Sequence, residues 1–212
     1  MPVPYMGSML RCLSMKLYAA ANQCVLKLSP GAESFLKGYA TNSTDKPRSA
    51  FVDLKGRIVA TFEQKILSPD EALIVVGKAF VERLKKHLEK YLLVSETELI
   101  EQPLHVFMDL DGDTVPKEGE WVIRFENLAI RIAQPSVILS QSEYPNSVSE
   151  EEFTRFRREQ NLSLQGVDFN DEFLLKIGDE EFVSYTKGCF FGQEILAKVH
   201  HRAGKDWKSY FS

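Results

Sequence analysis

The residues best suited to chemistry lie in one octapeptide near the C-terminus, Lys187 to Glu194, which reads KGCFFGQE. Its Cys189 stands close to Lys187 and just ahead of residues 193–200, whose apolar side chains have helical spacing. A neighbouring cation and a helix N-terminus both lower the pKa of a thiol, so Cys189 is a candidate reactive or ligand-contacting residue. The alternative is a small buried cysteine beside two aromatic residues in a strand-to-helix turn, and spacing alone leaves both open.

Two glycines of the octapeptide, Gly188 and Gly192, predict an unusual backbone path. Glycine adopts positive φ angles without a steric penalty and lets the backbone approach a neighbour closely. We therefore expect a sharp turn or a close ligand approach at these two positions, followed by a helix that begins at Gln193.

Two other clusters contain residue types that can bind metal ions. Four carboxylates occupy positions 1, 3, 5 and 12 of a calcium-binding loop, namely Asp109, Asp111, Asp113 and Glu120. The glycine required at position 6 is replaced by Thr114, and Pro116 interrupts the loop, so we interpret this segment as an acidic hairpin turn. The spacing of Cys189 and His200-His201 fits no zinc pattern, and no metal site is predicted.

Composition limits the class of protein. The 212 residues are 44% hydrophobic and 26% charged, which is typical of a soluble globular chain with one large domain or two small ones. A net charge of −4 argues against stable binding to nucleic acid, and no apolar run is long enough to span a membrane. Three cysteines without a CxxC pair favour a reducing compartment, the cytoplasm. The mitochondrial matrix is the alternative, since no acidic residue precedes Glu33.

The elements that must position the octapeptide follow an α+β pattern. Between about residues 24 and 101 the predicted order is β-α-β-β-β-α-β, with a helix capped by Ser29, a tight hairpin at Lys55-Gly56 and a helix over 78–92. Later strands are predicted at 105–110, 121–126 and 129–139, the last interrupted at Pro135. A helix capped by Ser147 or Ser149 then ends near Asn161. The predicted domains are residues 1–102 and 103–212, the second carrying the octapeptide.

The octapeptide resembles the Lys-Gly-Cys-aromatic-x-Gly-Gln-Glu signature of the YgfZ family, folate-binding proteins related to the glycine-cleavage aminomethyltransferase. Residues 183–186 before it, and Ala197 and Arg202 after it, are similar to the family pattern. Weaker similarity covers residues 28–38 with Thr41-Asn42, the hairpin over 51–59, and residues 157–161. The resemblance extends over about residues 24–202.

This resemblance implies a fold and a ligand. The fold would have antiparallel sheets with packed helices in two intimately associated subdomains, without the C-terminal β-barrel domain that family members commonly add. The ligand would be tetrahydrofolate or a derivative. Its central cavity would be bordered by octapeptide residues and by one arginine beyond them: Lys187, Gly188, Cys189, Gly192, Gln193, Glu194 and Arg202. Arg157 and Glu159 would present charge to the pterin or to its glutamate tail.

The implied function is that of an accessory protein in iron–sulfur cluster assembly or repair, with an indirect effect on tRNA modification. Its partners would be folate and iron–sulfur assembly or client proteins, and Cys189 would be the reactive or cluster-contacting thiol. One alternative is a folate-dependent one-carbon transferase, but the acidic pair of the aminomethyltransferases is replaced here by Ala60-Thr61. The other alternative is a non-catalytic family member that only binds a partner. The resemblance does not imply a stand-alone enzyme.

Overall fold

The computed structural model describes residues 16–112, 115–135 and 148–203. Within these ranges the chain forms nine β-strands and five α-helices. The strands are β1 (Leu17–Ala19), β2 (Gln23–Ser29), β3 (Arg48–Val52), β4 (Ile58–Ser68), β5 (Glu71–Gly77), β6 (Glu98–Gln102), β7 (His105–Asp109), β8 (Glu120–Arg124) and β9 (Ala129–Ala133). The α-helices are α1 (Ala32–Tyr39), α2 (Val81–Ser95), α3 (Glu150–Glu159), α4 (Asp179–Phe182) and α5 (Gln193–Ala203). Short 3₁₀ turns occupy Lys78–Phe80 and Leu174–Lys176.

The strands form two antiparallel sheets. The first has the order β3-β4-β5-β2-β6, and the second has the order β1-β7-β9-β8. Every strand pair in them is antiparallel, so the predicted α+β class is confirmed. The predicted order of elements between residues 24 and 101 is also confirmed.

The first sheet is buried on both faces because its central strands alternate between two cores. Leu26 and Ile74 pack against α1 and α2 in one core, whereas Val25 and Val75 pack against the second sheet in another. Strand residues point to opposite faces with a period of two, so an unbroken apolar strand signals this double burial. The layers are therefore helices, first sheet, second sheet.

The start of α1 corrects one prediction. Ser29 is not the N-cap, because it is the last residue of β2 and pairs with Glu98 of β6. The helix begins at Ala32, and Gly31 occupies the N-cap with a φ of 67° and no side-chain cap. The turn between β4 and β5 replaces the missing cap, since the carbonyl of Pro69 accepts a hydrogen bond of 3.0 Å from the backbone N–H of Glu33.

The start of α3 confirms another prediction. The hydroxyl of Ser149 accepts a hydrogen bond from the backbone N–H of Glu152, whose carboxylate accepts one from the N–H of Ser149 in return. The alternative cap Ser147 lies outside the described residues. So does the end of the strand predicted over 129–139, of which Ala129–Ala133 is strand and 136–139 are not described.

The chain crosses between the two sheets in both directions. β1 belongs to the second sheet, and the segment around α4 and α5 packs on Ala50, Val52 and Ile58 at the β3–β4 edge of the first sheet. The boundary between residues 102 and 103 falls between β6 and β7 and stays a prediction. None of the helices in the described part of the chain is long and apolar enough to cross a membrane.

Candidate functional site

The octapeptide forms the turn that leads into α5. Gly188 and Gly192 have φ angles of 105° and 81°, and α5 begins at Gln193 as the sequence predicts. The side-chain oxygen of Gln193 accepts a hydrogen bond of 3.3 Å from the backbone N–H of Phe190 and so closes the turn. Both glycines therefore occupy a backbone region that L residues with side chains rarely adopt.

Lys187 fixes the octapeptide to the end of α1. Its ammonium donates a hydrogen bond of 2.6 Å to the carbonyl of Lys37 and approaches the carbonyl of Leu36 at 3.4 Å. The last carbonyls of a helix lack intrahelical partners and carry partial negative charge, so a cation is stabilised there. Partial burial of the amine, with Lys37 nearby, nevertheless lowers the pKa of Lys187 to about 8.

The two aromatic residues of the octapeptide pack in different directions. Phe190 is buried against the β3–β4 edge of the first sheet. The ring of Phe191 lies against His87 and Tyr91 of α2, with centroid distances of 5.8 and 5.0 Å. The backbone N–H of Phe191 donates a hydrogen bond to the carbonyl of Gly38. Burial lowers the pKa of His87, which keeps this contact largely uncharged.

Gly192 contacts the β3–β4 hairpin directly. A Cβ atom at this position would lie 2.8 Å from Cγ2 of Val52 and 2.9 Å from the carbonyl oxygen of Asp53. Gly56, at the tip of the hairpin with a φ of 72°, is equally close to Phe173, since a Cβ atom would lie 2.5 Å from its ring. The predicted hairpin at Lys55-Gly56 is confirmed, and the glycines on both sides make close packing possible.

Thr41 and Asn42 clamp the segment that precedes the octapeptide. The Thr41 hydroxyl donates to the carbonyl of Phe182 at 2.6 Å and accepts from the N–H of Ala50 at 3.0 Å. The Asn42 amide donates to the carbonyls of Arg48 and Glu181, each at 2.8 Å. Two buried side chains thus tie β3 to the stretch that enters the octapeptide.

The thiol of Cys189 lies at the protein surface. Cys189 is exposed, and the space that a side chain at Gly188 would occupy is open to 4 Å. Cys189 is therefore not buried, whereas Cys24, in β2, is 4% exposed. Burial and a hydrogen bond with Glu101 raise the pKa of Cys24 to about 11, so this second thiol is kept protonated.

The remaining predicted residues fall into two groups. Glu194 and Arg202 are exposed on α5, the helix that begins inside the octapeptide. Arg157 and Glu159 lie instead on α3, whose Phe153 packs against the second sheet. Glu159 is exposed and borders a cleft of about 260 Å³ together with Lys16 and Arg155.

Arg157 is buried in an ion pair that the sequence analysis missed. One guanidinium nitrogen donates to both carboxylate oxygens of Asp168, at 3.0 and 2.7 Å. Burial raises the pKa of the Asp168 carboxyl, but hydrogen bonds from the N–H of Leu164 and from Arg157 outweigh this, and the pKa is lowered. Arg157 therefore holds the loop after α3 in place, and its charge is neutralised there.

Thr61, one of the two residues that the resemblance compares with an acidic pair, has a side-chain partner that the sequence did not predict. The side-chain oxygen of Gln165 accepts a hydrogen bond of 2.8 Å from the N–H of Thr61 and lies 3.4 Å from its hydroxyl. This amide therefore lies against β4 at the position where the resemblance led us to expect carboxylates. The loop that contains Gln165 and Asp168 is irregular, so no periodic pattern marked these residues in the sequence.

The described residues of the two candidate metal clusters make other contacts. Oδ1 of Asp109 accepts a hydrogen bond from the N–H of Asp111, which is typical of a turn, while Asp113 and Thr114 lie outside the described residues. His200 stacks on Tyr185, with ring centroids 4.2 Å apart. Within residues 16–112, 115–135 and 148–203, no group of three or more potential ligands converges on one point.

Comparison with known proteins identifies the fold. No protein-family model and no curated protein matches the chain. The structure is similar to that of glycine cleavage system aminomethyltransferase T from Bartonella henselae, with a TM-score of 0.73 and 14% sequence identity. The match covers 89% of this chain and 63% of the enzyme, so the chain spans less than two thirds of the enzyme's length. At this identity the likeness shows an aminomethyltransferase-like fold and nothing about activity.

A weaker likeness connects the chain with heterotetrameric sarcosine oxidase from Corynebacterium sp. U-96. The TM-score is 0.35 at 13% identity, over 63% of this chain and 86% of that one. This TM-score is too low to support an argument.

Proposed function

We propose that this chain is a folate-binding protein of the YgfZ type that assists the assembly or repair of iron–sulfur clusters, with an indirect effect on tRNA modification. The main support is a contact pattern. Three segments resemble the family, namely Thr41-Asn42, the β3–β4 hairpin and the octapeptide. The octapeptide contacts the hairpin through Gly192, and Thr41-Asn42 binds both β3 and residues 181–182, a few positions before the octapeptide. Unrelated resemblances would not be expected to converge in space within an aminomethyltransferase-like fold.

An accessory role fits the site better than one-carbon transfer. A transferase needs a group that moves protons at the reacting carbon, and the resemblance places that group at residues 60 and 61. Neither alanine nor threonine can act as a general acid or base near neutral pH, and the N–H of Thr61 is bound to Gln165. The carboxylate that one-carbon transfer would need is therefore absent at residues 60 and 61.

The exposed residues of the predicted set match the chemistry of a folate. Arg202 would pair with the carboxylates of the glutamate tail, and Glu159 would accept hydrogen bonds from the pterin. Arg157 is excluded from this role because Asp168 neutralises it. Gly188 and Gly192 shape the turn, Gln193 closes it, Lys187 anchors it, and Glu194 places a charge beside it. A bound tetrahydrofolate would supply a one-carbon carrier.

Cys189 would contact an iron–sulfur cluster or a client protein. It is exposed on a turn whose backbone is fixed at both ends, by Lys187 on α1 and by Gly192 on the hairpin. Clusters are usually held by four cysteine thiolates, so one thiol implies that a partner contributes the others. The partners in this proposal are therefore iron–sulfur assembly or client proteins in a reducing compartment, the cytoplasm.

The proposal is tested by complementation of a strain that lacks its own YgfZ-type protein, with iron–sulfur-dependent tRNA modification as the readout. We expect the wild-type chain to restore modification and Cys189→Ala to fail at equal protein level, while the control Cys24→Ala succeeds. Full rescue by Cys189→Ala would make the thiol structural, and failure of the wild-type chain would reject the role. Methylene transfer from tetrahydrofolate by the purified protein would favour the transferase instead.

A further inference from the structure

A cleft of about 270 Å³ lies between the start of β3, the β8–β9 turn, the end of α3 and α4. The cleft is distinct from the octapeptide, and none of the predicted site residues lines it. Its walls combine apolar side chains with a polar edge. Its lining includes Arg48, Phe125, Asn127, Phe156, Gln160 and Glu181.

Arg48 is a buried and oriented hydrogen-bond donor. Its side chain is 6% exposed, and its guanidinium carbon lies 5.4 Å from the ring centre of Phe125 and 5.5 Å from that of Phe182. Nε donates to Glu63 at 3.3 Å, and Nη1 donates to Glu181 at 2.8 Å. Nη2 has no hydrogen-bond partner in the described part of the chain. The guanidinium is planar and held in one orientation, so Nη2 is available to donate a hydrogen bond to a ligand in the cleft.

Glu181 adds acceptors next to that donor. Its Oε2 accepts from Arg48, whereas Oε1 has no partner among the residues that the structure describes, and the side chain is 60% exposed. An ionised carboxylate only accepts hydrogen bonds and a guanidinium only donates them. The ion pair thus presents one donor beside two acceptors at the edge of the cleft.

The rest of the lining suits a flat aromatic ring. Phe125 and Phe156 supply apolar faces, and Asn127 donates to Gln160 at 2.9 Å, which places an amide pair on the rim. Pockets for drug-sized ligands usually enclose about 300–1,000 Å³, so a cleft of about 270 Å³ suits a single fused ring whose substituents extend outside. Proteins recognise such rings by stacking on their faces and by hydrogen bonds to their edges.

We propose that this cleft binds a fused heteroaromatic ring with a 2-amino-4-oxopyrimidine edge. The ring carbonyl would accept from Nη2 of Arg48, while the adjacent ring N–H and the 2-amino group would donate to Glu181. Two sources share this edge, the pterin of folates and the base guanine. The pterin source rests on the proposed function and would place the pterin beside Glu181 rather than beside Glu159. The guanine source does not depend on it.

Calorimetric titration of the full chain with 6-methyltetrahydropterin and with guanosine tests this proposal, and adenosine serves as the control ligand. We expect one of the two rings to bind and adenosine to bind more weakly. Glu181→Gln should weaken binding at least about tenfold, because the new amide nitrogen faces one of the two ring donors instead of a carboxylate oxygen. Glu89→Gln makes the same charge change at an exposed position of α2 and should leave binding unchanged. Arg48→Met should also weaken binding, provided that this buried substitution leaves the chain folded. If it does not fold, Glu181→Gln alone tests the proposal, because the Glu181 side chain is largely exposed. Absence of binding by both rings, or equal binding by Glu181→Gln, overturns the proposal.

Tetrahydrofolate separates this inference from the proposed function. If folate binding is weakened by Glu159→Gln and not by Glu181→Gln, the pterin source of the cleft assignment fails and the folate proposal stands. If guanosine binds in a Glu181-dependent way and tetrahydrofolate does not bind, the cleft assignment stands and the folate proposal fails. Loss of folate affinity in Glu181→Gln supports both.

Discussion

Gly192 of the octapeptide lies against the carbonyl oxygen of Asp53 so closely that a Cβ atom would approach it to 2.9 Å. This contact joins two segments far apart in the chain, the turn before α5 and the β3–β4 hairpin. Asp53 in turn shapes the hairpin, since its carboxylate accepts hydrogen bonds from the N–H groups of Lys55 and Arg57. The glycine is therefore required by its neighbour as well as by its own positive φ.

Replacing Gly192 by alanine should destabilise the chain by about 2–4 kcal/mol, because the new methyl group clashes with backbone and the φ of 81° is unfavourable for alanine. The matched control is Gly38→Ala in α1, where an added Cβ atom would have no packing neighbour within 4 Å and the helix should gain up to about 1 kcal/mol. Urea unfolding measures both. Equal stability of the two variants would show that the contact with Asp53 is not close.

The ion pair between Arg157 and Asp168 should stabilise the fold in a pH-dependent way. The folded-state pKa of Asp168 lies below its ordinary value, so the stabilisation is present above the unfolded pKa and is lost as the pH falls through the folded pKa. We expect Asp168→Asn to cost roughly 1–2 kcal/mol at pH 7, a figure reduced for the partial exposure of the carboxylate. The difference from wild type should shrink below about pH 4. The control is the exposed Asp171→Asn, and a pH-independent difference for Asp168→Asn would contradict the pairing.

Lys187 should titrate well below an ordinary lysine. Burial disfavours its charged form and lowers its pKa from 10.5 to about 8 in the folded chain. Between these two values the unfolded chain binds the extra proton, so the stability of wild type relative to Lys187→Met should rise as the pH increases across that window. An NMR titration of the lysine side chains should show a transition near pH 8 that Lys187→Met removes and Lys86→Met retains. No such transition would mean that the amine is solvated.

The two described thiols should differ in reactivity. Cys189 is exposed, whereas Cys24 is 4% exposed with its pKa raised to about 11. Iodoacetamide reacts with thiolate, so native protein at pH 8 should be alkylated at Cys189 at least about tenfold faster than at Cys24. Peptide mapping by mass spectrometry reads out both sites in one sample. Comparable rates would place Cys189 in the interior.

Local patterns predicted the elements of the fold. The unbroken apolar runs around Val25 and Val75 reflect strands that are buried on both faces. The apolar stripe that includes Leu84 and Leu88 reflects burial that repeats with the period of a helix. The turn at Gly188 and the start of α5 were also predicted, because glycine and helix spacing act over a few residues. The wrong helix start at Ser29 arose because a distant turn caps α1 in place of a side chain. The helix predicted over 78–92 begins with a 3₁₀ turn, and its α-helical part is Val81–Ser95.

Tertiary partners could not be predicted in the same way. Thr41 and Phe182 are separated by 141 positions, and only the resemblance gave a reason to connect their segments. The resemblance implied that Arg157 meets a ligand. Its actual partner, Asp168, could not be predicted because it lies in a loop without periodicity. Arg48 reads as an ordinary residue at the start of a strand, and its contacts with Glu63 and Glu181 exist only after folding.

The most direct test of the central claim is calorimetric titration of the full chain with tetrahydrofolate under reducing conditions. The account predicts saturable binding with a Kd below about 1 mM, weakened at least about tenfold by Arg202→Met and unchanged by Lys86→Met. Absence of binding heat at millimolar tetrahydrofolate, confirmed by an unchanged melting temperature, would contradict the claim that this chain binds folate.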